Sequence, residues 1–157
     1  PQECAVDVLL REVGALVDHK ARDQGIALAV EAEPGLPRVI ADPELLKTCF
    51  LNLMINGLDA MPEGGRLTAS VRRETSAGGA ALRVEVTDSG RGMSEEEVGD
   101  AFEPYFSTKD TGLGIGLALT RKIVSDHGGT MQLSSVPGRG TTAALLLPLR
   151  TTTALAS

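Results

Sequence analysis

Asp88-Ser-Gly-Arg-Gly-Met93, Phe102-Glu-Pro-Tyr-Phe-Ser-Thr-Lys109 and Gly112-Leu-Gly-Ile-Gly-Leu117 follow one another within thirty residues, and their reading decides the fold. The stretch holds one carboxylate on a glycine turn, a Thr-Lys pair, three glycines at alternate positions and then a helical run. Glycines at that density let backbone approach a ligand closely, and a helix N-terminus behind them offers N–H groups to an anion. An acceptor for a base, followed by a cradle for phosphates, points to a nucleotide.

Immediately upstream, Leu67, Ala69 and Val71 alternate with polar residues, and so do Leu82, Val84 and Val86 across the loop Ser76-Ala-Gly-Gly79. This predicts an antiparallel hairpin whose second strand runs into Asp88, placing the carboxylate at the lip of a sheet. Further back, Asp42-Pro43-Glu44 is a helix start, with Asp42 as cap and Pro43 at the first helical position. The helix should reach about Met61 and stop at Pro62-Glu-Gly-Gly65. Its apolar set is Leu45, Leu46, Cys49, Phe50, Leu53, Met54 and Leu58. Thr48, Asn52, Asn56 and Asp59 share one stripe of the same helix, because steps of three and four return to one face. Such a stripe is either a solvated face or a ligand-facing one; asparagine is a poor helix former, which keeps the second reading open.

Towards the N-terminus, Val6, Leu9, Leu10, Val13, Leu16 and Val17 predict an amphipathic helix over 5–18. Residues 26–31 alternate as a strand, and Val39-Ile40 is a second short one. Downstream, Met93 to Ala101 reads as a short acidic helix capped by Ser94, and Leu117 to Val124 as a helix ending near Gly128-Gly129. Met131 and Leu133 mark a strand, 136–140 a turn, and 141–147 a last strand ended by Pro148. The order predicts an α+β fold, a two-layer α/β sandwich in which helices cover one face of a mixed sheet. Residues 1–150 form one domain and 151–157 a frayed polar tail.

The 157 residues are 42% hydrophobic with a net charge of −6, which fits a globular domain rather than a disordered chain. One Tyr, three Phe and an acidic balance exclude nucleic-acid binding by a basic stacking surface. No run of about 18 apolar residues is present that would span a membrane. Cys4 and Cys49 lack metal-ligand spacing and read as buried reduced thiols, consistent with a cytoplasmic setting.

Taken together, the asparagine-bearing helix, the Asp-Ser-Gly-Arg-Gly-Met box, the Phe-Glu-Pro-Tyr-Phe-Ser-Thr-Lys box, the glycine box and Gly138-Arg-Gly-Thr-Thr142 closely resemble the ATP-binding catalytic domain of two-component sensor histidine kinases. That family belongs to the Bergerat-fold ATPases, with DNA gyrase, the heat-shock chaperone ATPases and the mismatch-repair ATPases. The resemblance runs over roughly residues 3–149. It implies that ATP and Mg²⁺ bind here. Asn56 would give a side-chain oxygen to Mg²⁺, a hard cation that favours oxygen ligands. Asn52 would face the phosphates or metal-held water, and Asp59 would lie on the same side. Asp88 would accept from the adenine amine, with Gly90 and Gly92 leaving room for the base and Met93 beside it. Gly112, Gly114 and Gly116 would donate N–H groups to phosphates, Lys109 would neutralise them, and Phe106, Thr108, Leu113, Ile115 and Leu117 would line the nucleotide. Thr142 would complete the adenine pocket through a water shared with Asp88. Two departures stand out: Gly57 replaces the alanine of the asparagine box, and Ala143 an aromatic after the Thr pair. The segment between Phe106 and Gly112 is short, implying a compact ATP lid.

In gyrase-like relatives a glutamate one turn before the metal-binding asparagine activates water. Here that position is Asn52, and an amide cannot act as a general base. Phosphate transfer is thereby favoured over hydrolysis, with Asn52, Asn56 and Lys109 as catalytic residues. His19 reads as a surface histidine and His127 as a helix-end cap, so the phosphoacceptor histidine is expected on an N-terminal dimerisation domain outside this chain, for relay to a response regulator, and the chain alone as a monomer. A module that binds nucleotide without transferring it, and a protein-serine kinase of the same group, are the alternatives.

Overall fold

The computed structural model describes residues 1–76, 79–102 and 114–149. Seven strands and four helices follow in the order β1 (Gln2–Cys4), α1 (Val6–Asp23), β2 (Ile26–Ala32), β3 (Val39–Ala41), α2 (Pro43–Asp59), β4 (Gly65–Ser76), β5 (Gly79–Asp88), α3 (Glu95–Asp100), α4 (Gly114–Asp126), β6 (Thr130–Val136) and β7 (Gly140–Pro148) among the described residues. A five-stranded sheet runs β2-β4-β5-β7-β6, with β2 parallel to β4 and the other neighbours antiparallel. The mixed, two-layer α+β arrangement is the one read from the sequence.

Period-two alternation decides which sheet face is covered. Leu82, Val84 and Val86 of β5 lie opposite Leu147, Leu145 and Ala143 of β7, and all six are buried beneath the helices. The other face is polar and carries an ion-pair ladder, with Arg83 bonded to Glu85 at 2.8 Å and to Glu74 at 3.6 Å. Leu10 and Val13 of α1, Phe50 and Met54 of α2, and Val124 of α4 are fully buried in the layer between.

Helix α2 starts as its sequence predicts. The Asp42 carboxylate accepts from the N–H groups of Glu44 and Leu45, and Pro43 occupies the first turn. At its other end Gln24, which follows α1, donates its side-chain amide to the carbonyls of Leu58 (2.9 Å) and Met61 (3.3 Å), tying the end of α1 to the turn that closes α2. Leu45 departs from the expected apolar face, being 41% exposed. Helix α1 runs past residue 18 to Asp23, because Ala21 is fully buried and Asp18 and His19 pair one turn on with Arg22 and Asp23. The short β1 was not legible; it pairs antiparallel with β3, Gln2 opposite Ala41. Ser94 and Glu97 form a reciprocal capping box at α3. No described helix is long and apolar enough to cross a membrane.

Candidate functional site

Strand β5 delivers Asp88 to the covered face, one alternation beyond Val86, and there the carboxylate is 8% exposed. Its Oδ1 accepts from the Gly90 N–H at 2.8 Å, the local turn that an Asp-x-Gly sequence favours. Burial pushes the carboxyl above its ordinary range; the N–H groups of Gly90 and Thr141 and the charge of Arg91 act in the opposite sense. The result is a buried acceptor with little solvent.

Gly90 and Gly92 are held to glycine by the fold itself. A side chain at Gly90 would stand 2.5 Å from the Ala60 carbonyl at the end of α2. One at Gly92, where φ is +70°, would run into the Val136 carbonyl. At both positions the protein's own backbone closes the side on which a Cβ would stand. Met93 is fixed next to them through its N–H, donated to Ser135 Oγ at 2.7 Å.

Above this turn lies the α2 stripe. Asn52 and Asn56 are both half-buried. Asn52 donates its amide to Thr120 Oγ1 of α4 at 3.5 Å. Thr48 bonds back to the Glu44 carbonyl, and Asp59 is met at 3.9 Å by Lys20 of α1. Gly57, next to Asn56, backs directly onto β5: a methyl there would lie 3.5 Å from Asp88 Cβ. The helix that carries the asparagine stripe thus packs directly against the strand end that carries Asp88. Helix α4 begins at Gly114, and Leu117 packs on the core. Phe106, Thr108, Lys109, Gly112 and Leu113, with the short lid, lie outside the described residues.

Thr142 is not where it was expected. It lies opposite Thr87, and the two hydroxyls bond at 3.0 Å on the face of the sheet turned away from Asp88. Thr141 is the residue that faces inward. It is the cross-strand partner of Asp88, and its hydroxyl is 2.8 Å from Ser135 Oγ. Parity held the missing signal: Ala143, Leu145 and Leu147 point inward, so Thr141 must as well. Thr120 was also overlooked, although it precedes Ile123 and Val124 on the core-facing stripe of α4.

The two histidines stand apart from this chemistry. His19 is exposed and pairs with Asp23 at 3.3 Å. At the end of α4, the His127 Nδ1–H donates to the Ile123 carbonyl (2.7 Å) while Nε2 accepts the Asp42 N–H (3.1 Å), tying α4 to the start of α2. Cys4 and Cys49 are free and buried, and burial pushes the Cys49 thiol up to about 12.

Comparison with known proteins places this geometry in context. A family profile described as histidine kinase-, DNA gyrase B- and HSP90-like ATPase matches residues 41–151. The sensor histidine kinase ZraS of Klebsiella oxytoca is 42% identical over 134 residues, which are 85% of this chain and 28% of that protein. ZraS of Escherichia coli K12 is 36% identical across 96% of this chain and 32% of its own length. The chain thus spans about a third or less of the relatives it matches. Among solved structures, a nucleotide-free catalytic domain of histidine kinase ThkA superposes with a TM-score of 0.81 at 32% identity, covering 94% of this chain and 96% of that one. Full-length ShkA in complex with AMPPNP gives 0.83 at 27% identity, over 95% of this chain and 31% of that one.

Proposed function

We propose, from the premise that this chain belongs to the histidine kinase-, DNA gyrase B- and HSP90-like ATPase family as the ATP-binding catalytic domain of a sensor histidine kinase, that it passes the γ-phosphate of ATP to a histidine on a phosphoacceptor domain beyond its own residues. The architecture is the Bergerat arrangement expected from the sequence. Residues 1–150 act as the catalytic unit, with 151–157 as a tail, on the cytoplasmic side where ATP is available. The phosphoryl group would then be relayed to a response-regulator aspartate.

The observation that carries this reading is the buried Asp88 carboxylate packed against Gly57 of α2, the helix that bears the asparagine stripe. An exocyclic amine of adenine offers the donor that such an acceptor needs, and Thr141 supplies a second polar group on the same side. Glycines at the start of α4 leave helix N–H groups for phosphate oxygens. Lys109 remains the proposed cation for the phosphates, and Asn56 the proposed Mg²⁺ ligand.

The donor set fits Mg²⁺. No cluster of three or more acids, histidines or cysteines capable of holding a metal occurs among the described residues. Mg²⁺ commonly keeps several waters and takes few protein ligands when phosphates are present, so one neutral amide oxygen from Asn56 suffices. When bound, the cation neutralises charge on the transferring phosphoryl group. The chain's own residues bind and orient: Asp88 fixes the base, Asn56 and Asn52 fix the polyphosphate end, and no side chain at position 52 can take a proton from water.

The test is trans-phosphorylation. The chain is mixed with Mg·ATP and the separately expressed acceptor segment of its parent protein. Acid-labile, base-stable label on a histidine of that segment, lost in Asn56→Ala, is the expected result. Rapid release of free phosphate by the chain alone would return the hydrolase reading. Tight ATP binding without any transfer would favour a nucleotide-sensing module.

A further inference from the structure

We propose that Thr120 is a positioning residue that anchors the Asn52 amide to α4 and so sets how that amide faces the site. The proposal rests on the functional reading above. Thr120 and Asp88 are the buried polar residues among those described, and Thr120 is fully enclosed where α4 packs on α2. A hydroxyl in such a place has a desolvation cost that a valine of equal size avoids, unless it is satisfied. It is satisfied from α2: Asn52 Nδ2 donates to its Oγ1 at 3.5 Å, and one turn earlier Cys49 Sγ donates to its carbonyl at 3.9 Å.

The consequence concerns polarity. A primary amide has donors on one side and an acceptor on the other, with nearly the same shape either way round. Its environment must choose. In the structure the NH₂ group is the end turned to the Thr120 hydroxyl, which leaves Oδ1 as the group presented elsewhere. Asn52 Oδ1 therefore meets a donor, such as a water beside the polyphosphate. Asn56, one turn on, has no side-chain hydrogen bond to a described residue, so it is not oriented in this way. Two asparagines of one stripe thus have different tasks, one set by the protein and one left to the ligand.

The experiment compares Thr120→Val, Thr120→Ser and Asn52→Ala in the trans-phosphorylation assay and in ¹⁵N–¹H spectra of the Asn52 side-chain amide. Thr120→Val should lower kcat by about threefold to tenfold, the worth of one hydrogen bond, with the KM for ATP unchanged. Its Asn52 NH₂ signals should move and exchange faster with water, and Thr120→Ser should restore both readouts. Wild-type kcat and unmoved amide signals in Thr120→Val would overturn the proposal. So would equal losses in the Val and Ser variants, which would assign Thr120 to packing alone. Should Thr120→Val fail to fold, Thr120→Ala, which lacks the hydroxyl without added bulk, is read against Thr120→Ser in its place. An Asn52→Ala variant with wild-type turnover would instead refute the reading of Asn52; impairment there beside a normal Thr120→Val would refute only the role of Thr120.

Discussion

Thr141 stands directly across the β5–β7 ladder from Asp88, and its backbone N–H acts with that of Gly90 to favour the charged carboxylate. Its neighbour Thr142 is spent on the opposite face, hydroxyl to hydroxyl with Thr87. The two threonines differ by one position and by which side of the sheet they serve. Thr141→Val should weaken binding of an ATP analogue by about 0.5–1.5 kcal/mol, the net worth of a hydrogen bond. Thr142→Val should leave affinity unchanged. Isothermal titration of both variants decides the matter, and the reverse ranking would place the base on the other side of the strand.

Asp88 gives a pH-dependent prediction whose sign is the opposite of the usual carboxylate case. Its folded pKa is raised above the unfolded value of 3.8, chiefly by burial. The folded state therefore holds the proton more tightly, so the group's contribution to stability is fully present below the unfolded pKa and is lost as pH rises through the folded one. At pH 7 the ionised, buried carboxylate works against folding while serving as an acceptor. Asp88→Asn should match or exceed the wild-type melting temperature at pH 7 without nucleotide, the gain disappearing on acidification. The same variant should bind an ATP analogue more weakly by about 1–3 kcal/mol. Unchanged affinity would mean that the adenine is held elsewhere.

Much of this site was legible because its elements announce themselves locally. The Asp42-Pro43 start of α2 and the Ser94 box of α3 are contacts within four residues, so sequence spacing determines them. Alternation along β5 likewise placed Asp88 at the covered end of a strand. What escaped has two sources, a strand parity left uncounted and contacts distant in sequence. Thr141 rather than Thr142 follows from the parity of β7, and Thr120 from the meeting of α4 with α2. The close approach of Ala60 and Val136 to the glycines at 90 and 92 is likewise a contact between segments far apart in the chain. Strand β1, three residues long, is too short for periodicity to register.

His127 was read as a helix-end cap, and its reach is longer than that. By accepting the Asp42 N–H while donating to Ile123, it clamps the start of α2 to the end of α4, the two helices that frame the site. His127→Ala leaves the Asp42 N–H without this acceptor, a cost of about 1–3 kcal/mol. The melting temperature should fall by several degrees. Transfer to the acceptor segment should persist well below the new midpoint, because His127 carries no phosphate. Label that disappears in the cold from His127→Ala would give this histidine a chemical role.

Gly57 offers a test of how α2 is seated against Asp88. In a helix interior alanine is favoured over glycine by about 0.8–1.0 kcal/mol, so Gly57→Ala should stabilise an isolated α2. In the protein the new methyl would stand 2.5 Å from Leu67 Cδ1, and Leu67 is fully buried opposite Asp88. Overpacking of this kind costs about 1–3 kcal/mol, enough to outweigh the helical gain. Leu67→Val removes the atom in conflict and should cost about 1 kcal/mol by itself, through lost burial. Combined, the two changes should be less destabilising than their sum, with a coupling of order 1–2 kcal/mol. The leucine fills the volume that the glycine leaves, so each residue is tolerated because of the other. Urea denaturation of the four proteins in this cycle measures the coupling, and strictly additive values would show that α2 shifts to accept the methyl. In that event the Gly57→Ala variant should also bind nucleotide differently, since Asp88 Cβ lies only 3.5 Å from the added carbon.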